Sequence, residues 1–173
     1  GIAKVLAEER SATVYATARS EAALNDLASS IKGNTGVIHP VVLDQSDDSA
    51  VEKFITTVAE KERRIDLLVN SAYGGLTAMT PHFGKPFWER PISVFDASID
   101  IGLRSAFVSS AIVAPHMVSQ KSGLIVQVSS FGGHSYLFDV GYGVGKAGLD
   151  RLSADMATEL NEHGVKSLTL YPG

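Results

Sequence analysis

The chain has 173 residues, of which 15 are basic and 19 acidic, so its formal net charge is −4. This length and a hydrophobic content of 45% suit one domain with a sizeable core. The lack of cysteine excludes disulfides, cysteine-based zinc sites and a thiol nucleophile, and the mildly acidic balance without a basic block argues against broad electrostatic binding of nucleic acid.

The first part of the chain alternates helices with short apolar strands. Residues 2–10 place apolar side chains on one helical face, and residues 13–17 form a β-rich run. A helix over 20–32 is predicted to begin at Ser20 as its N-cap, and an apolar strand follows over 37–43. Either Ser46 or Asp47 is predicted to cap a third helix that ends near Arg63.

The alternation continues to the last residue. A strand is predicted over 65–69, an irregular segment over 76–92, and a long helix over 94–119 that Pro115 should bend or loosen. A strand over 124–128, a helix over 142–163 that Gly164 ends, and a strand over 165–171 complete the pattern. Such alternation predicts an α/β fold with a doubly wound, Rossmann-like parallel sheet in three αβα layers, incomplete at both ends.

Ligands of such folds bind beyond the carboxyl ends of the strands. Four of the five predicted strand ends are followed by residues suited to nucleotide or proton chemistry: Arg19, Asp44, Asn70-Ser71-Ala72 and Ser129-Ser130. Each is ordinary loop composition when taken alone. Their shared position at strand ends is what makes them candidates for one site.

Tyr142 and Lys146 are four residues apart in a predicted helix, so their side chains share one face. A phenol titrates near about 10 in water, and a neighbouring ammonium favours its ionised form. Ser130 can hydrogen-bond the same reacting oxygen. Because a Tyr-x-x-x-Lys spacing arises by chance in roughly one such chain of four or five, the pair gains weight only from its context.

The residues together resemble the classical short-chain dehydrogenases/reductases over nearly the whole chain. The resemblance is carried, in this order, by Asp44, Asn70-Ser71-Ala72, Ser130, Tyr142-x-x-x-Lys146 and Pro172-Gly173. Four stretches also indicate one subgroup of the family: Asn70-Ser71-Ala72-Tyr73, Phe87-Trp88-Glu89, Gly102-Leu103-Arg104 and Tyr142-Gly143-Val144-Gly145-Lys146-Ala147. The resemblance implies a nicotinamide-dependent oxidoreductase that acts on a small-molecule carbonyl or alcohol.

The resemblance also implies a role for each matching residue. Tyr142 would be the general acid/base, Lys146 would hold the nicotinamide ribose and lower the tyrosine pKa, and Ser130 would position the substrate oxygen. The remaining matches would bind cofactor: Asn70 and Ala72 along the adenosine, Asp44 at the adenine, and Pro172 and Gly173 beside the nicotinamide.

The first strand end bears on the choice of cofactor. An acidic residue there binds the ribose 2′-hydroxyl of NAD, whereas an arginine accommodates the 2′-phosphate of NADP. Ala18 stands where the acid is expected, and Arg19 follows it. We therefore predict NADP(H) over NAD(H), with a solvent-exposed Arg19 as the alternative.

The chain departs from the family pattern in several places. Asp100 stands where the family has an asparagine that holds a water in a proton relay to the lysine. As a catalytic residue it would accept hydrogen bonds in that place, and its charge would alter the pKa of Lys146 and therefore of Tyr142. The Gly-rich phosphate-binding turn and a central strand are expected before Gly1, and a substrate-covering segment is expected after Gly173. We thus expect a partial sequence that binds NADPH poorly and reduces no carbonyl, while its parent does both.

Two other functions are compatible with the same residues. The principal alternative is a non-catalytic nucleotide-binding or oligomerisation protein of the same fold, and a sugar-nucleotide epimerase is a more remote one. The helices over 94–119 and 142–163 predict a homodimer or homotetramer by the family resemblance. The histidines lack metal-ligand spacing, so no metal site is predicted. Since no apolar run approaches the roughly 20 residues of a membrane span and no signal peptide is evident, an intracellular protein is expected, in the cytoplasm or associated with an organelle.

Aromatic residues near the candidate site leave two interpretations open. Tyr136, Leu137 and Phe138 lie between Ser130 and Tyr142 and, with Trp88, would line an apolar substrate pocket. Core packing or contact with a partner explains them equally well.

Overall fold

The computed structural model describes residues 1–32 and 36–172. Its contacts group into two compact units, Gly1–Asp44 and Gln45–Gly173. In both units parallel strands are packed with helices, which is the Rossmann-like architecture that the sequence predicts. The prediction of a single domain over 1–173 stays a prediction.

The first unit contains two helices and two strands. These are α1 (Ile2–Arg10), β1 (Thr13–Ala18), α2 (Glu21–Ser29) and β2 (Val37–Val42). The strands pair in parallel, with Ala18 opposite Val42 at their carboxyl ends. Ser20 is the N-cap of α2, as predicted, because its hydroxyl oxygen accepts a hydrogen bond of 3.3 Å from the backbone N–H of Ala23.

The second unit is built on a three-stranded parallel sheet with the order β3-β4-β5. Its main elements are α3 (Asp48–Glu62), β3 (Leu67–Asn70), α4 (Gly75–Met79), α5 (Ile92–Ile99), α6 (Ser105–Gln120), β4 (Gly123–Val128), α7 (Val140–Leu160) and β5 (Val165–Leu170). Among the described strands, β1 pairs only with β2, and β3 only with β4.

Several predicted helix ends are confirmed. Asp47, rather than Ser46, caps α3 by accepting a 3.0 Å hydrogen bond from the N–H of Ala50. Arg63 ends the helix in the left-handed conformation with φ 63°. A short 3-10 turn, Asn161–His163, follows α7, and Gly164 ends it with φ 72°, a value at which glycine avoids the steric penalty of a side chain.

Two predicted segments differ from the structure. The segment over 76–92 is not wholly irregular, because α4 enters it and the 3-10 turns Thr80–His82 and Phe87–Glu89 lie within it. Helix α4 has only five residues and is stabilised by packing, since its Met79 is fully buried. The predicted helix over 94–119 contains a π-helical segment, Asp100–Arg104, whereas α-helical structure continues past Pro115 to Gln120.

The continuous helical stretch over 92–120 corrects the expectation that no segment approaches a membrane span. By length and composition alone this stretch is long and apolar enough to cross a membrane. In the 18-residue part that meets this criterion, 39% is buried in the protein. A helix that packs in a protein core has the same composition, so the feature is a weak indication of a span.

Candidate active site

The strand register brings three candidate loops to one edge of the second unit. Asn70 at the end of β3 lies opposite Gln127 near the end of β4, and Val128 lies opposite Leu170 at the end of β5. Because all three strands are parallel, their carboxyl ends share this edge. The loops that hold Ala72, Ser130 and Pro172 therefore begin side by side.

Helix α7 brings Tyr142 and Lys146 together, as their spacing predicts. The Lys146 Nζ atom lies 5.7 Å from the centroid of the Tyr142 ring and donates a 2.9 Å hydrogen bond to the carbonyl oxygen of Val128, at the end of β4. Burial lowers the pKa of Lys146, and the carboxylate of Asp150 on the next helical turn opposes that shift. The amine is thus held between the strand end and the phenol.

Ser130 lies in the loop that packs against the Tyr142 ring. Its hydroxyl oxygen accepts a 3.2 Å hydrogen bond from the N–H of Gly132. A Cβ atom added to Gly132 would come within 2.5 Å of the Tyr142 Cε1 atom, so this glycine lies directly against the ring. Since the serine oxygen acts as an acceptor here, its own proton is available for a substrate oxygen.

Tyr73 also lies beside Lys146, although no pattern in the sequence predicts it as a site residue. Its ring stands edge-on to that of Tyr142 with 5.5 Å between centroids, and Lys146 Nζ lies 5.3 Å from its centroid. Its hydroxyl is 3.2 Å from the Ser98 hydroxyl. Burial raises the pKa of Tyr73 to about 12, so its phenol stays protonated at neutral pH.

The side chain of Asn70 is used to hold β3 against α6. Its amide nitrogen donates to the carbonyl oxygen of Ala106 at 3.3 Å and to the hydroxyl of Ser110 at 3.0 Å. The buried Gln127 of β4 donates to the same hydroxyl at 3.2 Å. The Ser110 hydroxyl of α6 therefore accepts from Asn70 of β3 and Gln127 of β4, and it ties both strands to the helix at the edge of the site.

The other predicted cofactor residues lie at strand ends. Ala72 and Pro172 are exposed, and Gly173 lies outside the described residues. In the first unit, exposed Arg19 follows β1 and exposed Asp44 lies just beyond β2, where the Leu43 N–H donates to the Ala18 carbonyl oxygen at 3.0 Å. The structure thus brings Arg19 and Asp44 to one edge of that unit.

Asp100 is exposed at the start of the π-helical segment. In the described part of the chain it makes no hydrogen bond to Lys146, and its charge acts instead on Arg104, whose pKa is raised mainly by a hydrogen bond to Asp48 and to a lesser degree by Asp100. The charge that acts on the pKa of Lys146 is that of Asp150. The catalytic role of Asp100 stays a prediction. A π-helical turn often marks a functional site. Gly102, which lies inside this segment, is a residue in the sequence that interrupts the predicted helix here.

A buried ion pair at the start of α7 was also not predicted from the sequence. Asp139 is the N-cap of the helix and accepts a 2.7 Å hydrogen bond from the N–H of Tyr142, so the helix begins before Tyr142 rather than at it. The Arg90 guanidinium lies 3.0 Å from the other carboxylate oxygen. An aspartate three residues before the tyrosine was the signal for this cap, but nothing local indicated the arginine.

The donor set of the second unit fits a nicotinamide riboside. An ammonium, a phenol and a serine hydroxyl lie around one strand edge and match ribose hydroxyls and a reacting oxygen. In the first unit, the Arg19 guanidinium fits a 2′-phosphate. Within residues 1–32 and 36–172, no group of three or more His, Asp or Glu side chains is placed to hold a metal ion.

Sequence comparison identifies relatives along most of the chain. A family model described as short chain dehydrogenase matches residues 1–173. The chain is 44% identical over 163 residues to Dehydrogenase/reductase SDR family member 1 of Mus musculus and 42% identical to that of Homo sapiens, each match covering 94% of the chain and 52% of the relative. The chain spans about half the length of these curated relatives, and its similarity to them agrees with the subgroup that the four stretches indicate.

Comparison with solved structures finds the same fold. A metagenomic short-chain oxidoreductase in complex with NADP is 30% identical with a TM-score of 0.82, and the match covers 93% of this chain and 71% of that one. An NAD+-bound xylitol dehydrogenase is 25% identical with a TM-score of 0.87, covering 99% and 64%. Both nicotinamide cofactors thus occur among the similar structures.

Proposed function

Because the chain belongs to the short-chain dehydrogenase family, we propose that its protein is an NADP(H)-dependent oxidoreductase that interconverts a small-molecule carbonyl and an alcohol. The nicotinamide, when bound, supplies or accepts the hydride. The observation that carries the proposal is the position of the Lys146 ammonium, 5.7 Å from the Tyr142 ring beside a strand end. This pair provides a proton and a charge where a cofactor of this fold is expected.

In carbonyl reduction the protein's own residues hold the substrate oxygen and move one proton. Ser130 donates a hydrogen bond to that oxygen, and the Tyr142 hydroxyl transfers its proton to the same atom as the alcohol forms. The Lys146 ammonium, 5.7 Å from the centroid of the Tyr142 ring, places a positive charge beside the phenolate that remains. Alcohol oxidation runs the same transfer in reverse.

The test of the proton-transfer role is the Tyr142→Phe substitution in protein made from the complete coding sequence. NADPH oxidation is measured with a panel of ketones. Loss of the phenol proton should lower kcat by roughly 100-fold or more, which is the usual contribution of a general acid. Tyr73→Phe, which removes a neighbouring hydroxyl engaged with Ser98, should lower kcat by less than about tenfold.

Tyr15→Phe in the first unit controls for the general effect of removing a tyrosine hydroxyl. Equal cofactor oxidation by wild type and Tyr142→Phe would remove the proposed mechanism. Wild-type protein that binds NADPH and turns over no ketone or alcohol would favour the non-catalytic nucleotide-binding alternative.

The cofactor preference is proposed from Arg19. Its exposed guanidinium directly follows β1, where a 2′-phosphate is recognised in this fold, and the preceding residue is Ala18 rather than an acid. A charge-assisted hydrogen bond contributes about 1.5–3 kcal/mol, which corresponds to roughly 10- to 150-fold in affinity.

Arg19→Ala should therefore lower kcat/KM for NADPH by at least about tenfold and leave kcat/KM for NADH nearly unchanged. Arg10→Ala, which removes an exposed arginine at the end of α1, is the matched control. A wild-type protein that prefers NADH would contradict the proposed cofactor.

A further inference from the structure

The Arg90–Asp139 ion pair is buried, unlike the other arginine–carboxylate pairs in the described residues. The side chains of Arg90 and Asp139 are 7% and 3% exposed, whereas those of Arg104 and Asp48 are 51% and 45% exposed. Burying two charges costs solvation free energy, and this cost is offset only where geometry and additional hydrogen bonds are good. A buried ion pair of this kind is therefore a candidate for a function beyond general stability.

Each oxygen of the Asp139 carboxylate has its own partner. Oδ1 accepts a 2.7 Å hydrogen bond from the backbone N–H of Tyr142, while Oδ2 lies 3.0 Å from Nη1 of Arg90. The Asp139 backbone carbonyl accepts from the N–H of Gly143 at 3.1 Å. Asp139 thus holds the helical turn that carries Tyr142, and Arg90 holds the Asp139 carboxylate in its orientation.

Arg90 is itself anchored at a second point. Its Nε donates a 2.8 Å hydrogen bond to the carbonyl oxygen of Lys85, and it follows the turn Phe87–Glu89 directly. Pro91, the next residue, is the N-cap of α5. The guanidinium therefore joins the Lys85 loop to the start of α7, and the Arg90 backbone leads directly into α5.

The residue before the cap has an unusual backbone. Phe138 has φ 65°, and the Asp139 N–H donates to the Leu137 carbonyl oxygen at 2.8 Å, which closes a tight turn around Phe138. A non-glycine residue in this region persists where the surrounding contacts hold it. The Phe138 ring stands edge-on to the Tyr142 ring with 5.1 Å between centroids, so the strained turn contacts the side chain of the residue whose backbone N–H the cap accepts from.

We infer that Asp139 and Arg90 are positioning residues for the Tyr142 phenol, with the arginine holding the carboxylate in the orientation that fixes the first turn of α7. The inference rests on the proposed function, in which that phenol transfers the proton. Proton transfer depends steeply on geometry, so a loosened turn lowers the rate even where the fold persists.

The experiment uses protein from the complete coding sequence and four variants: Asp139→Ala, Arg90→Met, the double variant Arg90→Met/Asp139→Asn, and Asp47→Ala. Asparagine caps a helix about as well as aspartate, so the double variant removes both charges and keeps the cap. Asp47→Ala removes an equivalent cap from α3 and is the matched control. The readouts are kcat, KM for the ketone, melting temperature, and amide hydrogen exchange of the segment 139–145.

Asp139→Ala and Arg90→Met should each lower kcat roughly 10- to 100-fold with a smaller change in KM. The double variant should recover to within about threefold of wild type, because a neutral cap needs no buried counter-ion. Amide exchange in 139–145 should quicken in the first two variants and slow again in the double variant. Asp47→Ala should lower the melting temperature without these effects.

The inference is overturned if Asp139→Ala changes kcat no more than Asp47→Ala, or if the double variant is no better than Arg90→Met. If Asp139→Ala does not fold, the comparison of Arg90→Met with the double variant decides. A wild type without turnover would overturn the proposed function, and the exchange of 139–145 would still decide whether the pair orders the Tyr142 turn.

Discussion

Tyr73 and Tyr142 both lie beside Lys146, and Tyr73 is the less suitable of the two as a proton donor. Tyr73 is half-buried, with its hydroxyl next to that of Ser98, and burial raises its pKa to about 12. A phenol that holds its proton this firmly is a poor donor to a substrate at neutral pH. Tyr142, on the helix that also carries Lys146, remains the proposed acid.

The raised pKa of Tyr73 predicts a dependence of stability on pH. In the folded state the phenol loses its proton near pH 12, whereas in the unfolded chain it does so near 10.0. The contribution is therefore fully present below pH 10.0 and is lost as pH rises towards 12, because only the unfolded state releases the proton in this window.

Denaturant unfolding at pH 9 to 12 measures this effect as the difference between wild type and Tyr73→Phe. The free energy of unfolding should fall more steeply with pH in wild type than in the variant. Tyr136→Phe, which alters a side chain in a residue that is 75% exposed, should behave like wild type. Parallel curves for wild type and Tyr73→Phe would contradict the assignment.

Among the elements, the short turn Phe131–Gly133 and the start of α7 are fitted to each other. Ser130 caps the turn, and Gly132 leaves room for the Tyr142 ring, since a Cβ atom there would lie 2.5 Å from Cε1. The turn and the helix are thus able to approach only because one residue has no side chain.

Gly132→Ala should displace the Tyr142 ring and lower kcat by at least about tenfold, because a shift of about 1 Å in a reacting group is costly. Ketone reduction with NADPH measures it. Gly145→Ala is the control, since a Cβ atom there would meet its nearest neighbour, the Ser98 carbonyl oxygen, at an ordinary 3.4 Å. Full activity in Gly132→Ala would show that the fit is not needed for the reaction.

For the whole molecule, association through the helices over 94–119 and 142–163 stays a prediction. Large apolar side chains are exposed on both: Phe107 on α6 is 55% exposed and Val144 on α7 is 47% exposed. Burying such side chains against a second copy is favourable, whereas burying an unpaired charge in the same interface is costly.

Phe107→Glu should therefore convert a dimer or tetramer of the complete protein into smaller species in sedimentation velocity. Phe87→Glu introduces the same charge at a side chain that is 64% exposed and lies outside both helices, and it should leave the assembly intact. A monomeric wild type would refute the prediction, as would an assembly that Phe107→Glu leaves unchanged.

Local patterns in the sequence determined most of the fold and the spacing of the candidate pair Tyr142 and Lys146. Hydrophobic periodicity and capping residues such as Ser20, Asp47 and Gly164 predict helices and strands within a few residues, because these signals act between neighbours along the chain. Tyr142 and Lys146 share a face for the same reason, since a four-residue spacing is one helical turn.

The rest was decided by tertiary structure. Tyr73 contacts Ser98, 25 residues away in the sequence, and Arg90 contacts Asp139, 49 residues away. The periodicity of a single helix or strand cannot predict such a pairing. Helix α4 and the π-helical segment likewise exist through packing rather than propensity. The sequence by itself predicted which groups are candidates for the chemistry, and only the folded chain decided what surrounds them, because burial and charge pairing arise between residues that are distant along the chain.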